Sequence, residues 1–128
     1  MPCISRELAA KYSPEWLEAL PHWRQLLRAG FALYDVERYA EAVAAFERME
    51  AQAGDDRRIK AMSLIWQGHM LDLMGKRPEA VRRYGRAAAM DIADGWTHSQ
   101  YGLKYELSPY ARERLTTPFK RIENNTLD

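Results

Sequence analysis

The chain is 128 residues long, 47% apolar and 29% charged, which supports a single core under a wet surface and no more than one domain. With 19 basic side chains against 18 acidic ones, the net charge of +1 excludes a general attraction to nucleic acid or to an anionic membrane. Cys3 is the only cysteine, so no intrachain disulfide is expected, and no stretch approaches the ~20 apolar residues that span a bilayer or reads as a signal peptide. A soluble, cytoplasmic setting is expected.

Beta-branched residues are scarce, while Ala, Leu, Met, Glu, Arg and Gln dominate, and no alternating strand pattern of useful length occurs. The fold class is therefore all-α. Ser13-Pro14-Glu15 reads as a cap, a first-turn proline and an early acid, opening a short helix through Trp16, Leu17 and Leu20. A second helix is predicted from about Pro21 to Val36, with Leu26, Ala29, Gly30 and Leu33 on one face. "DVER" makes a turn, and a third helix runs from about Tyr39 to Gln52 over Ala42, Phe46 and Met49. After the polar connector "AGDDRR", a fourth helix spans about Arg58 to Met74, burying Leu64, Gln67, Gly68 and Leu71. Gly75 ends it, and Pro78 opens a fifth with Ala80, Tyr84 and Ala87 inside. A sixth is predicted from about Trp96 to Leu107, and Ser108-Pro109 caps a shorter seventh that Pro118 ends. The tail after it reads as frayed.

One pattern is written more than once. Gly30, Gly68 and Gly102 are each followed three residues later by Leu33, Leu71 or Tyr105. Twelve residues after the first two glycines stand Ala42 and Ala80, and four further on stand Phe46 and Tyr84. Glycine inside a helix costs roughly 1 kcal/mol against alanine, so its recurrence in register points to a packing need. The expectation is a close helix crossing in which glycine meets a small residue and the aromatic fills the next gap.

Over about residues 23–107 this Gly, Leu/Tyr, Ala, Phe/Tyr order resembles the tetratricopeptide repeat family. The last two glycines stand at the family's 34-residue period, and the connector stretches the first interval to 38. The resemblance implies antiparallel helical hairpins stacked as a short right-handed solenoid with flanking helices. Its parts would be an N-terminal flanking helix segment (1–22), a first repeat (23–57), a second (58–94), and a degenerate half repeat with a C-terminal capping helix (95–128). Leu26 and Leu64 stand where the family often has tryptophan, and Arg114 or Pro118 falls where the third unit needs small and aromatic residues.

Chemistry-bearing constellations are not found. His22, His69 and His98 lie far apart without paired ligands, the glycines form no phosphate-cradling loop, and Cys3 has no local histidine. Neither enzyme activity, nor a metal, nor another cofactor is expected. Arg82, Arg83 and Arg86 share one side of a helix, but near neutrality favours a solvated face paired with acids, so nucleic acid is not an expected partner.

The resemblance further implies a concave groove lined by the first helix of each unit. By register, Arg24, Phe31 and Tyr34, then Ile65, Trp66 and His69, then Trp96 face it. The carboxylate-gripping residues of one branch of the family are absent, their places holding Leu27, Phe31, Trp66, Trp96 and Gln100. The expected function is non-catalytic protein–protein interaction, an adaptor taking an apolar peptide or helix, with Trp66 and its neighbours as anchors. Trp66→Ala should then weaken binding while helicity survives. The alternative is a self-assembly module whose groove is filled by a second copy, and the groove's covering in the lone chain would fall to Trp16, Leu17 and Leu20. No membrane partner is expected.

Overall fold

A computed structural model describes residues 22–98 and 103–121. Over these the chain runs α1 (Trp23–Asp35), α2 (Tyr39–Gln52), α3 (Arg57–Leu73), α4 (Arg77–Ala89), β1 (Gly95–His98), β2 (Leu103–Glu106) and α5 (Leu107–Arg114). Each of the first four helices packs on the next, and connectors of three or four residues force neighbours to run antiparallel. The first two helical pairs stand where the sequence periodicity puts them. The helix expected through Trp16, Leu17 and Leu20, Gly102, Gln100 and the tail beyond 121 lie outside the described residues.

The caps follow local chemistry. His22 Nδ1 accepts the Arg24 N–H at 3.0 Å to open α1, and Asp56 Oδ1 accepts from Arg58 and Ile59 to open α3. Both α1 and α3 close in the same way. Arg38 N–H reaches back to Leu33 O and Glu37 N–H to Tyr34 O, just as Lys76 reaches Leu71 O and Gly75 reaches Asp72 O. This double bond pattern needs a left-handed residue. Gly75 supplies it at φ 74°, whereas Glu37 adopts φ 62° with a side chain attached.

The repeated glycines have a different partner from the one the pattern suggested. A Cβ on Gly68 would lie 2.5 Å from the Tyr84 ring, and one on Gly30 would overlap the Phe46 ring. Glycine thus makes room for the aromatic itself, not for a small residue. Ala42 and Ala80 are fully buried beside these contacts. Helix α3 is buried from Ile59 to Leu71 except at Lys60, as expected of a helix with neighbours on every side.

Beyond α4 the sixth helix expected from Trp96 to Leu107 is replaced by an antiparallel hairpin, with Trp96 opposite Tyr105 and Thr97 opposite Lys104. The strands hold Trp, Thr and Tyr, residues that favour a pleated surface, and Gly95 starts them where helix continuation is weakest. The pairing extends into α5 through Leu107 N–H to Asp94 O and Ser108 N–H to Ile92 O, both 2.9 Å. Ser108 does not cap α5. The N-cap position is Glu106, without a side-chain bond, and the buried Ser108 hydroxyl instead donates to Ala87 O and accepts the Ile92 N–H. That ties α5 to the end of α4. Among the described residues no helix is long and apolar enough to cross a membrane.

Candidate functional site

Side chains from α1 and α3 meet along one seam. Trp66 lies edge-on to Phe31 at 4.8 Å and to Tyr34 at 5.9 Å, and His69 lies edge-on to Trp66 at 4.5 Å. Three-residue spacing along each helix puts these rings on one face. Phe31, Tyr34, Trp66 and His69 are therefore brought together, and Ile65 is buried beside Trp66 on α3. They do not, however, line an open groove. Phe31 is 8% exposed and the other four are 0% exposed.

Among the described residues, the covering comes from the segment that follows α5. Past α5 the segment 118–121 crosses this face without regular structure. The Phe119 ring stacks on His69 at 3.7 Å and 13°, with Trp66 at 6.0 Å and Tyr34 at 6.4 Å around it. Its N–H donates to Asp72 Oδ2 at 2.9 Å. Two residues on, Arg121 lies over the Tyr34 ring at 4.5 Å and donates to Tyr34 O, Asp35 O and the Tyr39 hydroxyl. Those carbonyls end α1, where the helix dipole favours a cation.

Asp72 is the polar hub beneath the ring. Its side chain is 1% exposed, and it accepts two bonds from Arg77, both 3.0 Å, one from the Tyr84 hydroxyl at 2.8 Å and the one from Phe119. Burial first, and then this bond, pushes the Tyr84 hydroxyl far above its ordinary range. His69 shares a 2.7 Å hydrogen bond with the Tyr110 hydroxyl through Nε2, and its Nδ1 is buried without a partner. An orphan N–H costs more than an orphan lone pair, so Nε2 carries the proton. Burial, then the charge of Arg114, holds the His69 pKa well below 6.5. Burial also raises the Tyr105 hydroxyl, and the neighbouring Tyr110 adds to the rise.

Arg24 stands apart from this cluster. It is exposed at the start of α1, its guanidinium over Trp23. Trp96 lies on β1 rather than on a helix. Asp72, Tyr110, Phe119 and Arg121 do not follow from register: Asp72 sits on α3 off the stripe of rings, and the other three lie beyond the first helices of the two repeats. The available signal was Phe119 itself, a lone aromatic after Pro118 in an otherwise polar run. Two cations of α4, Arg83 and Arg86, face acids of α2. Arg83 pairs with Glu47 at 3.5 Å and Gln67 at 2.8 Å, and Arg86 with Glu50 at 2.7 Å, beside a cleft of about 510 Å³. Among the described residues no group of three or more His, Cys, Asp or Glu could hold a metal. Compared with protein-family models, with curated proteins and with solved structures, the chain matches none of them.

Proposed function

We propose that this chain is a non-catalytic protein–protein interaction module of tetratricopeptide type, acting in the cytoplasm, whose α1/α3 face receives an extended apolar segment of a partner. The observation that carries the reading is the way residues 118–121 lie across that face. One ring enters an aromatic slot, one backbone N–H finds a buried carboxylate, and one guanidinium meets the carbonyl end of a helix. These are the contacts by which a helical surface holds a peptide, here made by the chain with itself. The repeated glycine–aromatic packing and the repeated closing turn of α1 and α3 support the tetratricopeptide part. Phe31, Tyr34, Trp66 and His69 form the floor and walls of the site, with Ile65 buried next to Trp66 on α3 and Arg24 outside the ring cluster.

The test is a displayed peptide library panned against the full chain, both as wild type and as Phe119→Ala, followed by the indole N–H resonance of Trp66 in each complex. Selected peptides that move this resonance support the reading. Failure to select any peptide on either protein, or binding that leaves Trp66 unmoved, refutes it. A second reading, self-assembly, rests on the fact that another copy carries the same segment. Light scattering showing twice the chain mass over a hundredfold range of concentration would favour it.

A further inference from the structure

The partner's chemistry can be read from what the site already holds. An extended chain places residues i and i+2 on the same side, and here Phe119 and Arg121 face the site while Lys120 is exposed. Each contact selects a residue type. Phe119 stacks flat on the His69 ring, 3.7 Å away and 13° from parallel, with Trp66 edge-on at 6.0 Å, so the place favours an aromatic ring over a branched aliphatic chain. Asp72 is already matched by Arg77 and Tyr84, so it takes a neutral backbone N–H and rejects proline at the aromatic position. The end of α1 presents two carbonyls, one hydroxyl and one ring face, which a planar guanidinium with several donors can serve together and a lysine ammonium cannot.

The resident segment is also built to leave. Thr116, Thr117 and Pro118, which join it to α5, are exposed. Helix α5 is held independently by buried Leu107, Ser108 and Ala111, so Phe119 and Arg121 can withdraw without unmaking it. Resting on the binding role proposed above, we infer that the site recognises partner peptides carrying an aromatic residue followed two positions later by arginine. Residues 116–121 of the chain itself are then a tethered competitor that keeps the site closed. A short tether holds its end at ~mM effective concentration, so a free peptide of the same sequence binds wild type poorly.

The experiment is fluorescence polarisation with a labelled peptide reproducing residues 116–121, titrated with full-length wild type, Phe119→Ala and Arg121→Ala. Removing the resident ring should tighten peptide binding at least ~tenfold, the scale of a lost anchor. Removing the resident arginine should tighten it at least about threefold, since a cation–π contact and three hydrogen bonds go with it. Control peptides with alanine in place of the phenylalanine or the arginine should bind more weakly to both variants. The intact peptide should also raise the melting temperature of Phe119→Ala. Should Phe119→Ala fail to fold, Arg121→Ala carries the same comparison. Equal binding of intact and control peptides, or no binding by folded variants at mM peptide, overturns the inference. Dimers formed by the variants with wild type overturn it in favour of a second copy as occupant. If the library panning succeeds while this peptide fails, the recognition code falls and the binding role stands; if both fail, both fall.

Discussion

Replacing Gly68 by alanine tests the packing rule that the sequence writes twice. A Cβ there would lie 2.5, 2.7 and 2.9 Å from three atoms of the Tyr84 ring, against ~3.5–4.0 Å for comfortable carbon contact. The ring must retreat by roughly 1 Å, and it is not free to do so. Its hydroxyl is bound to Asp72 at 2.8 Å, and Asp72 is fixed by Arg77 and Phe119. Overpacking of this kind costs ~1–3 kcal/mol, and losing the Tyr84–Asp72 bond adds about 1 kcal/mol. Alanine's better helix propensity returns about 1 kcal/mol, leaving a net loss of ~1–3 kcal/mol. For a chain of this length that lowers the midpoint by roughly 4 °C per kcal/mol, read by thermal circular dichroism or calorimetry. Gly85, in α4, is the internal control, since a Cβ there meets nothing within 4 Å. Gly85→Ala should therefore be neutral or raise the midpoint by a few degrees. Gly68→Ala behaving like Gly85→Ala would refute the reasoning. In Tyr84→Phe the ring is released from Asp72, so the cost of Gly68→Ala should shrink there.

Glu37→Gly relieves the left-handed strain that Gly75 avoids at the matching turn, and should stabilise by about 1 kcal/mol in urea denaturation; no gain would mean that Glu37 holds a compensating contact. Trp66→Ala, expected from the sequence to spare the fold, removes a fully buried ring touching Phe31, Tyr34, Phe46 and Phe119. It should cost ~3–5 kcal/mol and lower helicity at modest temperature, so an unchanged melting curve would sink the core assignment. His69 is kept neutral by burial and by Arg114, so below its ordinary 6.5 the unfolded chain takes up a proton that the fold refuses. Stability should be full above about pH 6.5 and fall by up to ~1.4 kcal/mol per pH unit below it, until the folded-state pKa is reached. His69→Gln should flatten that part of the profile in denaturation series at pH 7.5, 6.5 and 5.5; identical slopes would exclude His69 as the source.

Helical periodicity was legible wherever a helix buries one stripe and the chain punctuates it locally. Tyr39–Gln52 matches the expected span at both ends, α1 and α3 differ from theirs by a residue or two, and α4 starts one residue before Pro78. Local signals decide such elements because caps, prolines and 3.6-residue spacing act within one turn or two. The hairpin failed that test. Its residues also fit a helical register through Gly102 and Tyr105, and what separates the two outcomes is pairing between β1 and β2 and the anchoring of Ser108 on α4.

The ring cluster itself was written in the sequence, since Phe31, Tyr34, Trp66 and His69 follow from register along two helices. What lies on it was not. The distance from His69 to Phe119 is 50 residues along the chain and 3.7 Å in space. Asp72 joins α3, α4 and the 118–121 segment through one carboxylate, a role that no spacing rule encodes. The sequence by itself determined where α1 to α4 form and which of their faces are apolar, because both depend on neighbours within a few residues. Only the tertiary structure decided that residues 118–121 lie on the shared face, because that depends on contacts between residues whose separation leaves no period to read.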